Sequence, residues 1–238
     1  MTRRRAALLV RTALLAGLVL LLEGLCRAGA VDPLTMIPPS AMAGAMVEQL
    51  GSDEVVASAG QTFLTVALAF GLAVVLGVAG GAALHAAPRL RRALDPVLAS
   101  YYSVPTFIFY PFLVALLGLS MAPLVVLGTM SAAPAMVIST LAGLDGVPPV
   151  LRRVAQVARL GRLRTLWLVV LPAALPRLFS GLKLAMSYAL IGVIAGEFIL
   201  SGSGLGYAIS YAYQSFDNRA MYGLMLFVLL AAVTVNGV

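Results

Sequence analysis

The sequence predicts an all-α membrane protein with about six transmembrane helices, and three observations carry that expectation. First, 61% of the 238 residues are hydrophobic, only 11% are charged, and the mean hydropathy is +1.02. Soluble domains hold roughly 45–50% apolar residues. A water-soluble fold of this length has nowhere to hide the surplus, whereas a bilayer acts as a solvent for it. Second, the apolar residues gather in stretches near 6–25, 61–84, 97–118, 122–142, 179–200 and 221–238. Each is close to the roughly 20 residues that cross a hydrocarbon core. Third, the basic residues flank these stretches on one side. Arg3, Arg4, Arg5 and Arg11 lie at the start, Arg89, Arg91 and Arg92 follow the second stretch, and Arg152, Arg153, Arg159, Arg162, Arg164, Arg177 and Lys183 follow the fourth. Of the 16 Lys and Arg, only Arg27 and Arg219 fall on the other side, where Asp32, Glu48, Asp53, Glu54 and Asp217 also lie. The positive-inside rule then places both termini in the cytoplasm.

The same charge pattern excludes a nucleic-acid reading. A net charge of +7 and a pI near 10.1 would suggest one in a soluble domain, but here the basic residues sit beside apolar spans. One cysteine, Cys26, rules out an internal disulfide framework. With His85 as the only histidine, no His/Cys metal site is expected, and His85 at a span end reads as an interfacial residue.

The first element begins with Arg3–Arg5, runs apolar from Ala6 to Leu22, and is followed by Ala28-Gly29-Ala30. That is the pattern of a cleaved secretory signal, but the further spans favour an uncleaved signal-anchor. Cys26 makes a poor lipid anchor, with Leu25 where a small residue is wanted. Residues 31–59 are then external, with Ser40 to Leu50 as a short surface helix. This divides the chain into an N-terminal span and external segment, 1–60, and a core of membrane helices, 61–238. Prolines 105, 111, 123 and 134 fall in or beside the third and fourth spans. They are expected to kink those helices, because neighbouring helices satisfy the freed backbone groups.

The longest cytoplasmic stretch is 143–178. Pro148 and Pro149 suit a first helical turn. Leu151, Val154, Ala158 and Gly161 then share one face, and Arg152, Arg153, Gln156 and Arg159 the other. A helix this short needs something to dock on, either anionic lipid or a cytoplasmic partner. In the fifth span Gly181, Ala185, Ala189, Gly192 and Gly196 form a stripe of small residues that lets helices approach closely. Beside it Glu197 is either an intramembrane functional carboxyl or a group that reaches the interface. Gly202, Gly204 and Gly206, with Ser201, Ser203 and Tyr207, form neither a dinucleotide fingerprint nor a Gly-x-Ser-Gly protease motif. They read as an outer loop beside a pore, with Glu197, Gly204 and Tyr207 as candidates for the pathway or its gate. Lys183, the only lysine, follows Leu182, so the chain carries no Walker A loop of its own. Any ATP-driven step therefore requires a separate ATPase polypeptide.

From Asp95 onward the chain resembles the membrane permeases of bacterial ABC importers that depend on a solute-binding protein, in the nitrate, sulfonate and taurine branch. The resemblance is carried by Asp95-Pro96 with Val104-Pro105, Thr140-Leu141-Ala142-Gly143, Val170-Leu171-Pro172-Ala173-Ala174-Leu175-Pro176 and Ser180-Gly181-Leu182, and continues through Ile191-Gly192-Val193-Ile194-Ala195-Gly196-Glu197-Phe198 and Gly204-Leu205-Gly206-Tyr207; Ile37-Pro38-Pro39-Ser40 matches more loosely. It implies the type I importer permease fold and a coupling helix, within 143–178, that fits a groove of the ATPase. The family's Glu-Ala-Ala loop has a glycine a few residues on and a Leu-Pro further along. Counted back from Leu171-Pro172, its slot holds Arg153-Val154-Ala155 and the glycine slot holds Arg159. Counted from Gly161, the slot holds Ala155-Gln156-Val157, with the spacing to Leu-Pro two residues short. The glutamate is absent in both registers. Arg153, Val154, Ala155, Gln156, Val157, Arg159, Leu160 and Gly161 are thus the candidates for contact with the ATPase. The resemblance further implies a homodimeric pore in the bacterial inner membrane, two ATPase subunits holding ATP and Mg, an external binding protein, and no cofactor or catalysis on this chain. The competing readings are an ion-coupled secondary transporter, for which only Glu197 and Glu23 offer intramembrane carboxyls, and a membrane hydrolase, which lacks a nucleophile–base pair.

Overall fold

The computed structural model describes residues 3–32 and 35–237. Positions 33 and 34 of the expected external segment, and position 238 of the last expected span, lie outside the described residues. Every regular element described is helical. In chain order these are α1 (Arg3–Arg27), α2 (Pro39–Leu50), α3 (Asp53–Ala86), α4 (Pro88–Ser100), two 3-10 turns (Tyr101–Ser103 and Thr106–Phe109) and α5 (Tyr110–Leu117). There follow α6 (Met121–Asp145), α7 (Pro149–Val157), α8 (Arg162–Thr165), a π turn (Leu166–Val170), α9 (Leu171–Leu200), α10 (Leu205–Gln214) and α11 (Asn218–Gly237). Among the described residues, five segments are long and apolar enough to cross a membrane: Leu9–Arg27, Asp53–Ala86, Met121–Asp145, Arg162–Ile199 and Asn218–Gly237.

The third apolar stretch, expected at 97–118 as a kinked helix, is instead broken. α4 stops at Ser100, Val104 and Pro105 are extended, and α5 restarts at Tyr110. The cause is local. The ring of Pro105 disfavours helical backbone at the residue before it, and Val104 accordingly sits at φ −96°, ψ 119°. α6 shows the opposite outcome. It starts at Ser120, whose Oγ accepts from the Ala122 N–H. It then runs through Pro134 without breaking, because Pro134 is buried among neighbouring helices.

α6 lies at the centre, packed along its length against α3 and α9. The core where the three meet is built largely from small side chains: Ala69, Ala73, Ala132, Ala185 and Ala189 are fully buried, with Val66, Met136 and Val193. Lipid tails are as apolar as leucine, so such helices hold together by close van der Waals contact. Glycine on α3 serves this directly. A Cβ on Gly77 would overlap Met136, and one on Gly81 would meet Thr140 Cβ at 2.6 Å. A second, smaller cluster joins α3, α10 and α11 through Val55, Ala59, Leu205, Ile209 and Leu224. α2 lies across α11, where Arg219 pairs with Glu48 at 2.9 Å and Gly223 leaves room for the Ala45 backbone. α1 buries none of its apolar span against the rest. It is fastened to α2 by Glu23, whose carboxyl accepts from Arg27 Nε at 2.6 Å, Ser40 Oγ at 2.6 Å and the Ser40 N–H at 2.9 Å.

Candidate functional site

α7 projects from the basic end of the bundle. It rests on Ala155, which is 2% exposed. Of the apolar face read from the sequence, Leu151 and Val154 are 38% and 58% exposed, and beside it Val150 and Val157, which that face did not include, are 65% and 85% exposed. Arg152, Arg153, Gln156, Arg159 and Gly161 are exposed as well. The helix ends in a Schellman arrangement. The Leu160 N–H donates to Ala155 O at 3.0 Å, and the Arg159 N–H to Gln156 O at 3.0 Å. That arrangement puts the residue after the cap in the left-handed region, which favours glycine. The residue there is Arg159, at φ +50°, while Gly161 has φ −63°. The left-handed position after α7 thus falls at Arg159 and not at Gly161.

Sequence reasoning did not single out the root of this helix. Asp145, the last residue of α6, accepts from Arg91 Nη1 at 2.7 Å and lies 3.0 Å from His85 Nδ1. The ends of α3 and α4 are thereby tied to the point where the chain leaves for α7. Arg152 adds a bond from its guanidinium to Leu144 O at 2.9 Å. No periodicity marks these residues, since their partners lie far away in sequence.

At the opposite end Glu197 is 1% exposed and fully engaged. Thr62 Oγ1 lies 2.9 Å from both carboxyl oxygens, and the Gly206 N–H donates to Oε2 at 3.0 Å. Thr62 Oγ1 in turn accepts from the Leu205 N–H at 2.8 Å. Leu205 and Gly206 open α10, so Glu197 and Thr62 cap two of its free first-turn N–H groups. Gly204 stands at φ +95°, and a Cβ there would overlap the Glu197 carboxyl. Gln61 Nε2 donates to Ser203 Oγ at 2.7 Å and fixes the same loop. Tyr207 lies just beyond, 37% exposed, with its ring 6.2 Å from that of Tyr211. Glu197 thus binds α3, α9 and α10 together, and the cavity described below does not include it in its walls.

The five small residues of α9 lie in the packed interior against α6 and α3. A Cβ on Gly181 would overlap Ser139, one on Gly192 would meet Ser131 Oγ at 2.6 Å, and one on Gly196 would meet Leu124 and Leu127 at 2.8 Å. Ala185 and Ala189 are 0% exposed. A cavity of 790 Å³ opens between α9, α10 and α11 and is walled by Ile194, Phe198, Met225, Leu229 and other apolar side chains. A cleft of that character suits an acyl chain or a helix, not a polar solute. Among the described residues, no group of three or more His, Cys, Asp or Glu is placed to hold a metal ion.

Residues 69–238 match the family model described as "Binding-protein-dependent transport system inner membrane component". The chain is 29% identical over 171 residues to the nitrate import permease protein NrtB of Leptolyngbya laminosa, covering 72% of this chain and 61% of that protein. It is 32% identical over 145 residues to the taurine transport system permease protein TauC of Escherichia coli K12, covering 61% of this chain and 53% of that one. It is 31% identical to a probable ABC transporter permease protein of Haemophilus influenzae, over 74% of this chain and 70% of the relative. The chain therefore spans little more than half the length of some curated relatives. The fold is shared with a chain of the MetNI methionine ABC transporter in an inward-facing conformation, with a TM-score of 0.65 at 19% identity, over 77% of this chain and 92% of that one.

Proposed function

Since the chain belongs to the binding-protein-dependent transport system inner membrane component family, we propose that it is the pore-forming subunit of an ATP-driven ABC importer carrying a small solute, of the nitrate, sulfonate or taurine kind or of a pyrimidine type, into the cytoplasm. Its core permease unit is 61–238, carrying the coupling segment 143–178. Two copies form the pore, ATP and Mg belong to a separate pair of ATPase subunits, and an external binding protein delivers the solute. The basic end, with both termini, faces the cytoplasm, as the bias of Lys and Arg requires. The observation that carries this reading is α7: a helix at the basic end whose apolar side chains Val150, Val154 and Val157 stand in the open. Exposed apolar patches of this kind mark interaction surfaces. The arginines around it add surface pairs worth about 0–1 kcal/mol each, so the valines supply most of the docking. ATP-driven closure of the ATPases, transmitted through α7, then biases a two-state membrane unit. Of the earlier pathway candidates, Gly204 and Tyr207 shape the external mouth, and Glu197 holds it in place.

Co-expression with the ATPase encoded beside this gene tests the reading. Extraction in mild detergent is expected to yield one assembly of two permeases and two ATPases. A chain that purifies alone and transports in liposomes without ATP would instead establish the ion-coupled alternative.

A further inference from the structure

The apolar segment that ends in α9 is longer than a bilayer is thick. It runs over 38 residues from Arg162 to Ile199, roughly 57 Å at 1.5 Å per residue, against a hydrocarbon core of about 30 Å. Packing on α6 sets its depth. Ala174 is level with Gly143, where an added Cβ would meet it at 3.3 Å. Gly143 is two residues short of Asp145 and its contact with His85, and those polar groups mark the edge of the apolar zone. Trp167, seven residues before Ala174, therefore lies roughly 7 Å beyond that edge. That is the headgroup layer, about 5–8 Å deep on each side of the core. Arg177 agrees with this depth. From nearly one turn deeper than Ala174 it reaches back over Gly146, where an added Cβ would overlap its guanidinium. Long basic side chains snorkel in this way toward the headgroups.

At that depth the chain reads Arg162-Leu163-Arg164-Thr165-Leu166-Trp167-Leu168. Leu163, Trp167 and Leu168 are 72%, 61% and 66% exposed and fall within one broad helical face. The face continues up α9 with Leu175 and Phe179, also exposed, at hydrocarbon depth. Arg162 and Arg164 are exposed below it. Among the described residues neither forms an ion pair. Asp95 and Asp145 are the only acidic residues at this end, and both already face Arg91. We propose that Arg162, Arg164 and Trp167 form a docking surface for anionic lipid, with the indole among the headgroups and the two guanidiniums on lipid phosphates. Tryptophan favours that layer, and a membrane surface bearing net negative charge attracts arginines placed against it. The loop between α6 and α9 then serves two partners: α7 offers its valines to the ATPase, and the 162–168 segment holds the bilayer. The inference needs neither a solute nor an ATP-driven step.

Trp167 is the only tryptophan in the chain, so its fluorescence reports this place alone. The full chain is reconstituted in vesicles of phosphatidylcholine and phosphatidylglycerol, with one lipid or the other brominated near the top of its acyl chains. Bromine quenches an indole only at close contact. At equal mole fraction, brominated phosphatidylglycerol is expected to quench about threefold more strongly than brominated phosphatidylcholine. The Arg162→Gln/Arg164→Gln pair is expected to lose that preference but keep the quenching itself, and the Arg162→Lys/Arg164→Lys pair to retain both. No quenching by either lipid would overturn the membrane contact and assign Trp167 to a protein partner or to water. Equal quenching by the two lipids would overturn the selection of negative charge. A preference that survives in the Gln pair would move the phosphate contact off these arginines, and one lost in the Lys pair as well would overturn charge as its cause. Uptake by the permease–ATPase complex is measured separately, so a failure of the importer reading leaves the lipid result standing.

Discussion

Glu197 and Asp145 each tie three helices together at opposite ends of the bundle, but they are held in opposite ways. Glu197 is 1% exposed and held by the Thr62 hydroxyl and the Gly206 N–H. Asp145 has a side chain 38% exposed and is held by Arg91 and His85, whose side chains are 32% and 31% exposed. Out of water, leaving one hydrogen-bonding group unpaired costs about 1–3 kcal/mol. In water, the exchange of an ion pair for solvation is worth about 0–1 kcal/mol. The knot at Glu197 is therefore rigid, and the knot at Asp145 is easily broken and remade. The second sits at the root of α7, where movement must enter if the ATPases drive the pore. The contrast teaches that burial, more than the presence of charge, decides whether a carboxyl fixes a structure or permits it to move.

The largest blow to the outer knot is Gly204→Ala. It combines a backbone at φ +95° with a Cβ placed on the Glu197 carboxyl, and the destabilisation is expected to reach about 3 kcal/mol or more. Thermal unfolding in detergent reads it, and an unchanged midpoint would remove Glu197 from its place as organiser of the loop. Next comes Glu197→Gln, which keeps the shape but replaces one of the two acceptor oxygens that Thr62 and Gly206 share with an N–H₂ donor. A loss of about 1–3 kcal/mol is expected. Pairing it with Thr62→Val should give less than the sum of the two, because they share one network. At the other knot Asp145→Asn is expected to lower stability by no more than about 1 kcal/mol, yet, on the importer reading, to raise the ATP hydrolysed per solute moved several-fold. A drop in melting as large as that of Glu197→Gln would erase the contrast between the two ends. The smallest effect on stability, within about 0.5 kcal/mol, belongs to Val154→Asp and Val157→Asp. Both should nevertheless cut recovery of the ATPase with the permease at least tenfold, and full recovery would move the docking surface off α7.

How far the sequence could be read depended on how local each signal was. The start of α7 was legible, because Pro149 sets its first turn, but Ala158 and Gly161, read as part of its face, lie beyond its end at Val157. The short helix expected over Ser40 to Leu50 is present as Pro39–Leu50. The third span was misjudged as kinked: prolines alone do not tell a bend from a break, and Pro134 in α6 bends nothing open while Pro105 ends a helix. Thr62 gave no sign of its partner, since it lies 135 residues from Glu197. The α6-facing glycines of α3, Gly77 and Gly81, did carry a signal in their four-residue spacing, and it was passed over.

By itself, then, the sequence determined the solvent the chain lives in, the number and rough limits of its apolar stretches, the charge bias that orients them, and the amphipathic helix that leaves the membrane. All of these follow from composition and short-range periodicity, which act within a few turns of backbone. Only the tertiary structure decided that Glu197 faces inward to cap α10, that Arg159 takes the left-handed position, that Asp145 anchors the root of α7, and that Tyr101 and Thr106, on either side of the broken third span, bond to Met130 and Ser131 of α6. Each of these depends on which distant hydrogen-bonding group comes within about 3 Å, and only packing α3, α6 and α9 against one another sets that distance.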